Sequence, residues 1–210
     1  MRLKDGDVTK ARLRVLEAQL QVLATCGIKL NRGITAKDVR EVGLGFGLSR
    51  EEVATERPHY LEVLERMGFE TYKPPHRMLS DGIWRFDVEC IYKTGDYVEI
   101  AKRIRALAGG SLPLKRIKDR IDSKSGTAWL EFDLEGRRVR WDLRVHRDWV
   151  DGTVFFRFAK LLASRRTAKR FTFYGLGGQD CLIGCATPSQ VRRLRRRAGV
   201  WFIHLRAGLI

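Results

Sequence analysis

The chain has 210 residues, of which 44% are hydrophobic, and it carries a formal net charge of +16 at pH 7. A chain of this length and composition can bury a sizeable core of its own. It contains no run of about 18 apolar residues, and its first residues lack the apolar stretch of a secretory signal. The four cysteines are too few and too scattered for a disulfide framework. These features exclude the membrane-spanning and disulfide-rich classes and predict a cytoplasmic protein with reduced thiols.

The net charge lies entirely in the second half of the chain. Residues 1–100 hold 16 basic and 16 acidic residues, whereas residues 101–210 hold 25 basic and 9 acidic ones. The imbalance is strongest after residue 151, where 12 basic residues accompany a single acid, Asp180. Charge of one sign that is clustered in this way attracts polyanions or acidic surfaces. The charge distribution therefore points to an anionic partner rather than to a particular fold.

The first 75 residues have the periodicity of a small helical domain. Gly27 ends the first predicted helix, and Pro58 interrupts the chain before the last. The pattern predicts helices over residues 8–25, from Thr35, from Ser49, and over residues 59–67. The segment around Pro74 and Pro75 can continue neither a helix nor an inner strand, so the domain boundary is placed there.

Residues 76–210 alternate between strand and helix periods. Strands are predicted over residues 83–91, 128–134, 138–145, 170–174, 181–185 and 200–205, and helices over residues 96–108, 114–121, 152–164 and 187–198. The short connections favour a mostly antiparallel sheet with helices packed on it, and thus an α+β fold. The tripeptides beginning at Asp96 and Asp148 each follow a strand and precede a helix. This repetition raises the alternative that the second, basic domain consists of two similar halves, against the alternative of a chance match over few positions.

For one hairpin the sequence also predicts the register, that is, which residues pair across the two strands. A two-residue turn at Glu135 and Gly136, with positive φ at the glycine, joins the strands on either side. The turn pairs apolar with apolar and acid with base. The predicted pairs are Asp133 with Arg138, Phe132 with Val139, Glu131 with Arg140, Leu130 with Trp141 and Trp129 with Asp142. Trp129 then lies on the polar face among arginines, where it is a candidate interface anchor.

The helix over residues 187–198 is the most distinctive local feature. Thr187 caps it and Pro188 takes its first position. Its apolar side is narrow and consists of Val191, Leu194 and Ala198. Arginines cover the rest of the helix, which contains no acidic residue. Like charges three and four residues apart cost about 0.2 to 0.5 kcal/mol per pair, a cost that one glutamate would relieve. We therefore expect an anionic partner at Arg192, Arg193, Arg196 and Arg197, against the alternative of a solvated face.

A second basic cluster precedes the strand over residues 170–174. Its members are Arg165, Arg166, Lys169 and Arg170, and they are predicted to bind the same anionic partner. The neighbouring Phe171, Phe173 and Tyr174 raise the alternative of base stacking, which single-stranded nucleic acid would use. Alternation along a core strand explains these aromatic residues better.

Two other patterns favour structural explanations. Residues 35–57 can be aligned with a helix-turn-helix, but the second helix would present Glu51, Glu52 and Glu56 to phosphates, so three packed helices are the better interpretation. The glycine-rich segment 175–178 is followed by a strand rather than by a helix, which favours a hairpin turn with a bulge over a phosphate loop.

No catalytic, metal or cofactor site is predicted. Cys181 is the best-placed nucleophile, with His146 or His204 as distant bases, but a buried cysteine is the commoner outcome. The histidines never occur at metal-ligand spacing. The nearest arrangement of a metal nuclease, Asp87, Glu89 and Lys93, lacks the required spacing.

These observations lead to one expectation and one alternative. We expect a non-enzymatic binding protein whose basic C-terminal surface binds an anionic partner, with nucleic acid as the first candidate. The alternative is a protein-binding module of inhibitor or immunity type that covers an acidic partner protein. Neither requires a cofactor, a metal or a membrane.

Overall fold

A computed structural model describes residues 5–44 and 60–206. These residues form six α-helices and two antiparallel sheets, so the fold is α+β with helices preceding the sheets, as predicted. The helices are α1 (Asp5–Thr25), α2 (Ala36–Leu44), α3 (Tyr60–Met67), α4 (Asp96–Ala108), α5 (Thr153–Ala163) and α6 (Pro188–Ala198). The strands are β1 (Ile83–Asp87), β2 (Leu114–Asp122), β3 (Thr127–Leu134), β4 (Arg137–Arg144), β5 (Arg170–Gly177), β6 (Asp180–Ala186) and β7 (Ile203–His204).

The chain divides into two compact units. The described part of residues 1–85 forms the first unit together with residues 188–202, and residues 86–187 with 203–206 form the second. The first unit thus contains α1, α2, α3 and α6, so the arginine-rich helix packs in the same unit as the N-terminal helices. The predicted division into domains 1–75 and 76–210, the latter with two similar halves, stays a prediction.

The helices of the first unit begin and end where the sequence signals lie. Gly27 follows α1 with a φ of +95°, the left-handed conformation that glycine adopts without strain. At the start of α2, the Asp38 carboxylate accepts hydrogen bonds from the backbone and the hydroxyl of Thr35, both at 2.7 Å. These bonds, and more weakly the nearby charge of Arg77, lower the pKa of Asp38. The helix predicted from Ser49 and the second half of the helix-turn-helix alignment lie outside the described residues.

The predicted hairpin of the second unit is confirmed in full. All five predicted β3–β4 pairs occur, from Asp133 with Arg138 to Trp129 with Asp142. Both turn residues have positive φ, +52° at Glu135 and +79° at Gly136. The inward face of the hairpin contributes Phe132 and Trp141, which pack with Phe158 of α5 at centroid distances of 4.8 to 5.7 Å. Apolar pairing across the two strands therefore determined the register.

The helix predicted over residues 114–121 is wrong, because this segment is strand β2. It pairs with β3 and the register shifts between Lys115 and Lys118, where Arg116 has a φ of +48°. The bulge adds one residue to the two-residue period, so that Leu114, Ile117 and Ile121 acquire helix-like spacing. The sheet order is β2-β3-β4.

Two further strands are shorter than predicted, and one hairpin is confirmed. The strand expected over residues 83–91 ends at Asp87, whose carboxylate accepts a hydrogen bond from the Glu89 N–H at 2.8 Å. The last strand is limited to Ile203 and His204. The glycine-rich segment 175–178 is a hairpin with a bulge, as predicted, and the second sheet has the order β1-β6-β5-β7.

Candidate functional site

The arginine helix is α6, and its inner side is fixed by α1. Leu194 is its buried residue. Gly27, just after α1, has no side chain, and the Gln190 side chain of α6 occupies the place where a Cβ would lie. This close approach positions α6 along α1 and leaves most of the helix surface exposed to solvent.

Three arginines of this helix are free to bind a partner. Arg192, Arg196 and Arg197 are exposed and form no ion pair or side-chain hydrogen bond with any described residue. The helix contains no acid, so its repulsive arginine pairs are not relieved from within. The position of Arg196 and Arg197 in the last turn offsets part of this repulsion, because cations interact favourably with the carboxyl end of a helix. We call Arg192, Arg196 and Arg197 the free arginines.

Arg193 differs from the other arginines that the sequence predicted to bind. Its guanidinium donates a hydrogen bond to the carbonyl oxygen of Thr25, the last residue of α1. A cation at this place satisfies a carbonyl that has no partner within its own helix. Arg193 therefore has a structural role between two helices of the first unit.

Arg195, which the sequence did not single out, stacks on an aromatic ring. Its guanidinium carbon lies 3.4 Å from the ring centroid of Trp201. Gly199 makes the turn between them, with a φ of +68° and an N–H that donates to the Arg195 carbonyl oxygen at 3.1 Å. The signal for this contact was present in the sequence, because a glycine directly after a helix brings the following residues back along it.

Half of the basic cluster at the start of β5 is occupied by contacts within the second unit. Arg165 forms a two-bond ion pair with Glu135 of the β3–β4 turn. Arg170 donates to the carbonyl oxygens of Thr167 and Lys169 at 2.8 and 2.7 Å. Arg166 and Lys169 form no ion pair with any residue in the described ranges. Two of the four predicted cations thus remain for a partner.

Trp129 lies on the outer face of the β2-β3-β4 sheet, as the register requires. It is half-buried, and the Arg140 guanidinium lies 4.3 Å from its ring centroid. The neighbouring carboxylate of Asp133 is paired with Arg116 and Arg138. Burial favours the neutral acid, but the two arginines outweigh it and lower the pKa of Asp133. The carboxylates of Glu131 and Asp133 on this face are thus paired with arginines.

The thiols are poorly suited to nucleophilic catalysis. Cys181 is 3% exposed. Burial raises the pKa of Cys185 to about 11 and that of Cys90 to about 12, so both thiols are protonated at neutral pH. None of the four cysteines forms a disulfide.

A cleft of about 430 Å³ lies between the end of β4 and the start of α5. Its lining includes Arg144, Arg157, Asp142, Asp151 and His146. Asp151 accepts hydrogen bonds from the Arg144 and Thr153 N–H groups, and Arg157 donates to the Asp142 carbonyl oxygen. Two carboxylates and two guanidinium groups therefore balance within the cleft, which gives it no clear preference for an anion.

Metal binding and membrane insertion find no support in the described ranges 5–44 and 60–206. These residues contain no group of three metal-binding side chains, and none of their helices is both long and apolar enough to cross a bilayer. Comparison with known proteins gives no match: no family model, no curated protein and no solved structure is significantly similar to the chain. Function is therefore inferred from the geometry.

Proposed function

We propose that this protein binds nucleic acid, and that the free arginines of α6 contact the phosphate backbone. The observation that carries the proposal is that Arg192, Arg196 and Arg197 are exposed on one helix without an ion pair to any described residue. Guanidinium groups bind phosphate oxygens through two parallel hydrogen bonds. A phosphate backbone supplies the negative charges that the helix itself lacks.

The dimensions of the helix suit a short stretch of backbone. Arg192 and Arg196 are four residues apart and lie on the same side of the helix, separated by about 6 Å along the axis, given a rise of 1.5 Å per residue. This distance resembles the spacing of neighbouring phosphates along one strand, so these two arginines can contact neighbouring phosphates. The whole second half of the chain, with 25 basic residues against 9 acidic ones, adds a long-range attraction.

The proposal is tested by replacing the free arginines together. Changing Arg192, Arg196 and Arg197 to Gln is expected to weaken binding to mixed-sequence RNA and DNA. It should also reduce the slope of log K against log salt by roughly 2 to 3, because each lost phosphate contact reduces the slope by about 0.7 to 0.9. Filter binding at several salt concentrations measures both quantities.

A matched control separates a local effect from a loss of net charge. Arg120, Arg137 and Arg144 are also exposed and form no ion pair with any described side chain, but they lie on β2 and β4. Their triple change to Gln removes the same charge and should leave most of the affinity and slope. Equal losses in both variants would show that the free arginines are not a site, and a wild-type protein that binds no nucleic acid would refute the proposal.

The alternative of an acidic partner protein predicts a different salt response. A protein interface retains its buried anchors when salt screens the charges, whereas a phosphate interface loses affinity linearly in log salt. The absorbance ratio at 260 and 280 nm of the purified protein, with and without nuclease treatment, provides an independent check for bound nucleic acid.

A further inference from the structure

We infer that Trp201 is a stacking platform for an unpaired base, so that α6 and Trp201 together recognise single-stranded nucleic acid rather than a duplex. This inference rests on the proposed function and names the class of nucleic acid that the same site takes. It combines the free arginines of α6 with one exposed indole ring of the same unit, on which Arg195 of the same helix stacks.

The indole ring is available for stacking. Trp201 is 58% exposed, although a side chain of this size is usually well buried. The Arg195 guanidinium covers one ring face at 3.4 Å from the centroid. Because that face is covered, the exposed area lies on the opposite face and the edges. A base that stacks there completes a sandwich of guanidinium, indole and base.

The backbone holds the ring in place before a ligand arrives. Val200 and Phe202 on either side of Trp201 are buried, so the alternation of an extended segment turns Trp201 outward. The Gly199 N–H bonds to the Arg195 carbonyl oxygen and fixes the turn between helix and ring. A fixed aromatic platform loses little conformational entropy on binding.

The combination of groups selects single strands. In a duplex the base faces are stacked on each other, so a protein ring can reach them only after unstacking. An unpaired base offers its whole face, and every base has one, so recognition is tolerant of sequence. Arginines for the backbone beside an aromatic ring for a base are the two elements that single-strand binding requires.

Two substitutions of the ring test the inference in the full-length protein. Trp201→Leu removes the flat face, and Trp201→Phe keeps one. The probes are a single-stranded RNA of about 12 nucleotides, a typical site size, and a duplex of the same sequence. Trp201→Leu is expected to weaken single-strand binding about 5- to 150-fold, the range that stacking of one base provides. Trp201→Phe should retain most of the affinity.

The salt slope and duplex binding are expected to stay at the wild-type values in both variants, because the phosphate contacts are untouched. Trp149→Leu is the matched control, since Trp149 is 44% exposed but belongs to the second unit. It should bind the single strand like the wild type. A thermal melt of each variant establishes that the fold is intact, and Trp201→Phe covers the case in which leucine unfolds the protein.

The outcomes separate the two proposals. If the wild type binds single strand and duplex equally and Trp201→Leu has no effect on either, the stacking inference fails while the phosphate contacts of α6 stand. If Trp201→Phe loses as much single-strand affinity as Trp201→Leu does with both variants folded, the ring is not a stacking platform. If the wild type binds neither probe, the proposed function and the inference fall together.

Discussion

Asp119 on β2 caps a helix to which it does not belong: its carboxylate accepts a hydrogen bond from the Gly95 N–H, at the start of α4, at 2.7 Å. A second bond, from the Val98 N–H, is 3.1 Å long. The residue at the cap position is Gly95 itself, which has no side chain to offer. The N–H groups of the first turn lack partners within any helix, so a strand residue here supplies the acceptor that the helix sequence omits.

Replacing Asp119 by Ala is therefore expected to destabilise the fold by about 1 to 2 kcal/mol, the cost of losing a helix cap. Asp142→Ala is the control, because that side chain is 89% exposed and its ion pair with Arg140 is at the surface. Such a change usually costs less than about 0.5 kcal/mol. Urea unfolding of both variants measures the difference, and equal losses would contradict the capping role.

The same carboxyl predicts a pH dependence. Burial raises the pKa of Asp119 above its ordinary value of 3.8, although hydrogen bonds from α4 work in the opposite direction. The folded state thus holds this proton more tightly than the unfolded chain does, and the part of the stability that comes from the bound proton is lost as the pH rises through the folded pKa. We expect the difference in unfolding free energy between the wild type and Asp119→Asn to be largest at low pH and to shrink toward neutrality. Urea unfolding of the pair across this range measures it. A difference that grows with pH would show that the pKa is lowered instead.

Gly136 provides a test of backbone conformation alone. Its φ is +79°, and an added Cβ would meet no atom within 4 Å, so only the dihedral angle opposes a side chain. Gly136→Val is expected to cost more than about 1 kcal/mol, since a β-branched residue resists positive φ. Gly136→Asn should cost less, because asparagine tolerates this region. Thermal melts compare the two variants with the wild type. An equal melting temperature for Gly136→Val and the wild type would contradict the expected cost of positive φ at this position.

Arg193 and Arg197 should respond differently to the same substitution. Arg193→Gln removes a charged donor from the carboxyl end of α1 and is expected to cost about 0.3 to 1 kcal/mol. Arg197→Gln removes repulsion from its neighbours as well as a favourable interaction with the helix end, and should leave stability unchanged or slightly raised. Chemical denaturation of the two single variants decides the point. The reverse order would mean that Arg197, and not Arg193, is the structural arginine.

Prediction from the sequence was most accurate where the turn residues and the pairing of side chains favour the same structure. The β3–β4 register follows from one glycine turn and from apolar residues that face each other, such as Phe132 and Val139. The strand β2 was missed because the bulge at Arg116 is stabilised by pairing with β3, and a bulge disguises the two-residue period. Helix or strand preference within nine residues carries no information about such a long-range partner.

The residues of the candidate site could be predicted only in part, because their contacts also depend on long-range folding. Clustered arginines are visible in a sequence, but their individual partners are not. Arg193, Arg165 and Arg170 are bound to groups that are brought near them by folding or by a local loop. Trp201 was overlooked because its exposure depends on the burial of Val200 and Phe202 on both sides. Some of the predicted cations thus form hydrogen bonds or ion pairs within the protein, and the others form no ion pair with any described residue.

This division has a consequence for natural variation at α6. Arg192, Arg196 and Arg197 form no ion pair or side-chain hydrogen bond with any described residue, so their replacement breaks no such contact of the fold. Natural variants that carry lysine or glutamine at these positions are therefore expected to fold normally, and an altered phenotype of such a variant would indicate a lost partner rather than a lost fold.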